Sequence, residues 1–219
     1  MTTDPTASTG PRPGALRYIA LGDSYTIGTA TRAPHERWPD QLVARLGPTP
    51  PTLRLVANLG VDGFTSRDVI DVELPELPRH GPEFVSLLVG VNDVVRGVPI
   101  ERYARNVEMI LDAFRERLAA DRIVAVSTPD YTVTPRGADY GDPVAQAAGI
   151  RRVNEVLAAA AAARGIAFVD IHDLSLRAEG DRSLVADDGL HPSGAQYRAW
   201  VDRIAPAVAT LLGRDQRSV

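Results

Sequence analysis

The 219-residue chain contains no cysteine. Disulfides, thiolate metal centres and cysteine nucleophiles are therefore excluded. It contains no lysine either, since all 24 basic residues are arginine. That removes Schiff-base chemistry, a P-loop lysine and a Ser–Lys dyad. There is no surplus of one charge: 24 basic residues stand against 28 acidic ones, mixed along the chain, for a net −4. Nothing in that balance calls for a nucleic acid or a membrane surface as partner. The longest purely apolar run, residues 156–163, is far short of the roughly 20 residues that cross a bilayer. Residues 1–14 are rich in Thr and Pro, with neither a basic start nor an apolar stretch. They read as a loose tail rather than a secretory leader, and the expected location is cytoplasmic. Residues 214–219 read as a short polar exit. The familiar cofactor patterns are missing too: there is no G-x-G-x-x-G, no Walker motif and no H-E-x-x-H. Asp and His do not cluster at metal-ligand spacing. No cofactor and no metal are expected.

What is present is a globular composition, 44% hydrophobic and 24% charged, of a length suited to one domain over 15–213. Short apolar runs alternate with longer helical stretches. Residues 18–21, 53–58, 84–89, 123–127 and 167–170 read as strands. They are nearly continuous in apolar residues, as strands buried on both faces are. Helices are expected over 39–46, 66–74 (stopping at Pro75), 99–119, 143–164 and 192–212. The fourth carries six consecutive alanines, and Pro192 suits a first helical turn. The alternation predicts an α/β fold: a three-layer α/β/α sandwich around a five-stranded parallel sheet of flavodoxin-like type. Residues 128–143 form a 16-residue segment of Gly, Pro, Asp, Thr and Tyr after the fourth strand. Loops of that length are often functional, and this one rises from the carboxyl edge of the sheet, where such folds bind ligands.

Three motifs follow the first three strands and so gather at that edge: Gly22-Asp23-Ser24-Tyr25, Asn58-Leu59-Gly60-Val61-Asp62-Gly63 and Gly90-Val91-Asn92-Asp93. A fourth, Asp188-Gly189-Leu190-His191-Pro192, precedes the last helix. In this order the set resembles the SGNH/GDSL hydrolase family of serine esterases and lipases, over roughly residues 18–212. Trp38-Pro39 is also similar to the family. Tyr25 stands where the family's first motif has Leu, and Asp62 where relatives more often carry a small residue.

A serine hydroxyl needs a base within hydrogen-bond reach to act as a nucleophile. Of the four histidines, His191 alone has an aspartate three residues earlier across a turn-forming Gly. Asp188 can hold one ring nitrogen and leave the other free for the serine proton. This assigns Ser24 as nucleophile, His191 as base and then acid, and Asp188 as orienter. A tetrahedral oxyanion needs preorganised donors. Ser24 N–H, Gly63 N–H and the Asn92 side chain can supply them, and the resemblance implies the same three, favouring Gly63 over Gly60. Activity resting on a histidine base falls as pH drops through about 6–7.

Plainer readings stand beside these. A serine after a strand is ordinarily a helix cap, and Asn92 and Asp93 serve equally as turn formers. His172-Asp173 is the rival pair, read as the cap of a short helix. His35 and His80 read as loop residues, Asp187 as a solvated charge, Trp38 as core, and Asp23 and Asn58 as braces for their loops. G-x-S-x-G fails at Thr26, which separates the chain from the α/β-hydrolases. The expected function is hydrolysis of carboxylic esters with short-chain acyl or acetyl groups, because residues 128–143 carry Tyr131, Val133 and Tyr140 but no cluster of Leu, Ile or Phe. The expected partner is a small-molecule ester. An acyltransferase or thioesterase would share the same chemistry, and a non-catalytic binding module is the alternative from another class.

Overall fold

The computed structural model describes residues 14–214. The tails expected over 1–14 and 214–219 fall outside them, apart from Gly14 and Arg214. Five strands, β1 (Ala15–Gly22), β2 (Thr52–Asn58), β3 (Phe84–Leu88), β4 (Ile123–Val126) and β5 (Ala167–Val169), form one sheet in the order β2-β1-β3-β4-β5. Every pairing is parallel. Helices α1 (Ser24–Ile27), α2 (Trp38–Leu46), α3 (Ser66–Asp68), α4 (Leu77–His80), α5 (Val91–Val95), α6 (Ile100–Arg115), α7 (Pro143–Ala162), α8 (His172–Ser175) and α9 (Gly194–Leu211) lie between and after the strands.

Period-two alternation splits each strand between two cores. Tyr18, Ala20, Phe84, Leu88, Val124 and Val126 face α2 and α9, where Trp38, Leu42, Trp200, Ile204 and Val208 are buried. Ile19, Leu21, Val85, Leu87, Ile123 and Ala125 face α6 and α7, which contribute Tyr103, Val107, Phe114, Val153 and Leu157. Burying one such large apolar side chain is worth about 1.5–3 kcal/mol. Inside the first core Tyr18 Oη and Ser86 Oγ pair at 2.7 Å. After α9, Arg214 Nη1 donates to Leu46 O at 2.8 Å and ties the end of the described chain to α2.

Two expectations change. The helix expected to stop at Pro75 runs on to His80, as α3, a π-helical turn Val69–Glu73, a 3-10 turn Leu74–Glu76 and α4. Pro75 falls in the first turn of a new segment, where its missing N–H costs nothing. The last helix begins at Gly194 rather than Pro192: Ser193 caps it by accepting from Gln196 N, and Pro192 pairs across a hairpin with Val185. Among the described residues no helix is long and apolar enough to cross a membrane.

Candidate active site

The first motif turns sharply out of β1. Gly22 has φ +146°, and a Cβ there would lie 1.9 Å from Leu88 O, so only glycine lets β1 and β3 meet at this point. Asp23 then caps α1. Its Oδ1 accepts from Tyr25 N at 3.0 Å, and its carbonyl accepts from Thr26 N and Ile27 N. These bonds claim the first-turn amides except that of Ser24, which donates to no protein group among the described residues.

The second motif is laid against this turn. Asn58 Nδ2 donates to Thr26 O at 2.7 Å, and Asn58 Oδ1 accepts from Gly60 N at 3.2 Å. A Cβ at Gly60 would meet Asp23 O and Ile27 N at 2.8 Å. Asn58 thus braces two loops, while Gly60 serves their contact and Gly63 reaches the pocket.

The third motif forms α5, which brings Asn92 over the second. Asn92 Nδ2 donates to Phe64 O at 2.9 Å and keeps a second N–H. Asp93 is buried below, accepting from Ser66 N at 2.8 Å and Ser66 Oγ at 2.6 Å, while Asn106 Nδ2 donates to the same Oγ. Burial raises its pKa against the pull of the Ser66 bonds. Asp93 is therefore more than a turn former: it locks α5 to α3.

The fourth motif is the tip of a hairpin, closed by Ala186 N–H to His191 O at 2.7 Å and Ser193 N–H to Leu184 O at 2.8 Å. Asp188 Oδ2 lies 2.6 Å from His191 Nδ1, and Asp188 Oδ1 accepts from the N–H groups of Leu190 and His191, both at 3.0 Å. Partial burial opposes ionisation of Asp188, but the imidazole and the two amides outweigh it, and its carboxyl sits below the ordinary value. Tyr25 packs its ring 5.7 Å from the His191 ring and 6.3 Å from Trp200, backing the imidazole with the α9 core.

These pieces enclose one pocket of about 200 Å³, lined by Ser24, Gly63, Asn92 and His191 together with Tyr25, Asp62, Val91, Val95, Tyr131, Tyr140 and Leu190. The segment 128–143 supplies two of the tyrosines, 5.7 Å apart edge to face, and docks on the hairpin through Arg136 N–H to Gly189 O at 3.0 Å. A larger open groove of about 730 Å³ lies on the other side of the hairpin, lined by Arg32, His35, Arg182, Asp187 and Arg198 among others. It holds neither Ser24 nor His191, so the smaller pocket is the one with chemistry. Among the described residues no group of three or more His, Asp or Glu side chains is arranged to hold a metal ion.

The pocket thus brings a hydroxyl, a carboxylate-held imidazole and several N–H groups to one place, in a five-stranded parallel α/β sheet. The family model of the GDSL-like lipase/acylhydrolase family matches residues 20–199. The chain belongs to this family. Membership makes it a carboxylic ester hydrolase. No curated protein sequence matches it. Solved structures share its fold. One is a member of the lipolytic protein G-D-S-L family from Veillonella parvula DSM 2008, 18% identical, with a TM-score of 0.68 over 92% of this chain and 100% of that one. Another is a catalytic serine-to-alanine mutant of an acetylxylan esterase from Geobacillus stearothermophilus, 19% identical, TM-score 0.66, over 92% and 96%. An aspartate-to-alanine catalytic mutant of the same esterase is 18% identical, TM-score 0.68, with the same coverage.

The rival pair of this GDSL chain is split by the fold. His172 Nε2 lies 3.5 Å from Asp130, and Asp173 pairs with Arg203. Neither residue lines the pocket. Sequence reasoning missed Glu73, whose Oε2 accepts from Gly22 N at 2.9 Å directly behind the first motif. Burial pushes its carboxyl up to about 9 and that of Asp23 to about 8. No signal marks Glu73 in the sequence, where it stands among Asp68, Asp71 and Glu76 on the same stretch.

Proposed function

We propose that the chain hydrolyses short-chain carboxylic esters through an acyl-enzyme on Ser24. The observation that carries this is the single pocket that holds Ser24, Gly63, Asn92 and His191, with Asp188 on the far nitrogen of the imidazole. Ser24 Oγ attacks the acyl carbon and passes its proton to His191 Nε2. Asp188 keeps Nδ1 protonated and stabilises the imidazolium. The carbonyl oxygen takes up the negative charge and is met by Ser24 N–H, Gly63 N–H and the second N–H of Asn92. One such donor is typically worth about 2.7–4 kcal/mol of transition-state stabilisation. The C–O bond then breaks, and the alcohol leaves with the proton from His191. Water repeats the sequence on the acyl-enzyme, giving up a proton to His191 and releasing the acid. The catalytic serine and aspartate of the acetylxylan esterase from Geobacillus stearothermophilus agree with this assignment.

The size of the pocket supports the short acyl length. A cavity of about 200 Å³ walled by Val91, Val95, Tyr131, Tyr140 and Leu190 suits acetyl to butyryl groups. The test is hydrolysis of p-nitrophenyl acetate, butyrate and palmitate by wild type, Ser24→Ala and His191→Ala. Turnover of the short esters, lost by several orders of magnitude in both variants, is the expected result. Activity retained by Ser24→Ala overturns the acyl-enzyme, and a preference for palmitate overturns the short-chain reading.

A further inference from the structure

Gly63 sits in a tight turn, residues 61–64, closed by Phe64 N–H to Val61 O at 3.2 Å. Its φ of +76° belongs to the region glycine enters freely and other residues avoid. A glycine peptide has little steric preference of its own, so the direction of its N–H depends on what holds the turn from outside. Three side chains do so. Thr29 Oγ1 donates to Asp62 Oδ1 from the side of α1. Asn92 Nδ2, in the first turn of α5, donates to Phe64 O. Arg96, at the end of α5, donates from Nη2 to Gly63 O at 2.7 Å.

Asn92 and Arg96 are four residues apart and joined by Arg96 N–H to Asn92 O at 3.0 Å, so they lie on one side of the same short helix. The guanidinium runs against the glycine itself: a Cβ on Gly63 would lie 3.3 Å from Arg96 Nη2. Its Nη1 is 4.0 Å from Asp68, the residue that completes the cap of α3, which steadies the side chain from behind. More than half of the Arg96 side chain is exposed, and it is absent from the pocket lining. It is neither core nor a group that touches substrate.

We propose that Arg96 is a positioning residue for ester hydrolysis: by gripping the carbonyl of Gly63 it aims the Gly63 N–H at the oxyanion, in register with Asn92 on the same helix. This rests on the oxyanion-hole reading above. Gly63 O belongs to the 63–64 peptide and the N–H to the 62–63 peptide, so the grip acts through the φ and ψ of Gly63, the residue of the turn with most freedom to rotate, and limits their swing.

The test uses Arg96→Met, which keeps the stem and loses donor and charge, and Arg96→Lys, which keeps both. Each is assayed on p-nitrophenyl acetate, with thermal unfolding and with the affinity of a simple alkyl boronic acid, which forms a tetrahedral adduct on the serine. Arg96→Met is expected to lower kcat on the order of 10- to 100-fold with KM within about threefold of wild type. Boronic acid binding weakens in parallel with kcat, the melting temperature stays close to wild type, and Arg96→Lys recovers most of the loss. A kcat for Arg96→Met within about twofold of wild type, or a loss confined to KM, overturns the proposal. So does a loss that tracks the melting temperature and is not recovered by lysine. Wild-type turnover that depends on Ser24 keeps the esterase reading in place through any of these results, whereas a wild type without turnover removes that reading itself.

Discussion

Replacing Glu73 by Gln should stabilise the protein, and by an amount that grows with pH. Glu73 is almost wholly buried, and its Oε2 accepts the Gly22 N–H at 2.9 Å. Burial, with the charges of Asp23 and Asp68 adding to it and the Gly22 bond opposing it, raises its pKa from 4.5 to about 9. In the unfolded chain the carboxyl ionises near 4.5; in the folded chain it keeps its proton to about pH 9. Between those values the native state binds one more proton than the unfolded state, so stability is fully present below pH 4.5 and falls as pH rises toward 9. Each pH unit costs about 1.4 kcal/mol, which makes at most about 6 kcal/mol over the whole window. Glutamine keeps an oxygen for the Gly22 N–H and does not titrate. Wild type and Glu73→Gln should therefore match within about 1 kcal/mol at pH 4 and separate by up to about 5 kcal/mol at pH 8, with the variant the more stable. Asp93 also carries a raised pKa, but it is common to both proteins and drops out of the difference, whereas Asp23, whose charge helps to raise the pKa of Glu73, is part of that difference. Denaturant unfolding at a series of pH values from 4 to 9 reads it directly. A gap that does not change with pH, or a wild type that gains on the variant as pH rises, refutes the account of Glu73 as a buried neutral acid.

Two further outcomes follow from the same geometry. Asp188→Asn would place an amide N–H opposite His191 Nδ1, now 2.6 Å from the carboxylate, and so force the tautomer whose Nε2 already carries a proton. Its kcat on p-nitrophenyl acetate should fall on the order of 10⁴-fold with the fold intact by circular dichroism; a loss under tenfold would remove Asp188 from the proposed role. Gly60→Ala would push a methyl to 2.8 Å from Asp23 O and Ile27 N, both backbone atoms that cannot swing away. It should cost about 1–3 kcal/mol in denaturant unfolding and reduce activity as well, because the displaced turn carries Ser24; a variant as stable and active as wild type would mean the two loops are not pressed together.

Much of the site was legible because its parts are local. Asp23, Asn58 and Asp188 act on atoms two or three residues away in the chain or on the loop beside them, as the bonds from Tyr25 N, Gly60 N and His191 N show. Asp-x-x-His is such a pattern: the spacing alone lets the carboxylate meet the ring and the intervening amides. What escaped is non-local. Glu73 meets Gly22 across 51 residues, Arg96 meets Gly63 across 33, and His172 finds Asp130 across 42 rather than its neighbour Asp173. The run beyond Pro75 was misjudged for a related reason. Proline ends a regular α-helix, but the contacts of Val69 and Leu77 with the core hold the chain in helical form through π and 3-10 turns.

The amino-acid sequence by itself determined the order of strands and helices, the doubly buried sheet and the edge to which the motifs are delivered. Those depend on apolar periodicity and on turn residues, which act within a few positions of where they stand. Tertiary structure alone decided how the delivered groups are held. It packed Tyr25 between His191 and Trp200, set a buried carboxyl behind the turn of Ser24 and pinned Gly63 to α5. Each of these is a contact between segments far apart in the chain, and a group's hydrogen-bond partner and its ionisation depend on what lies around it in space.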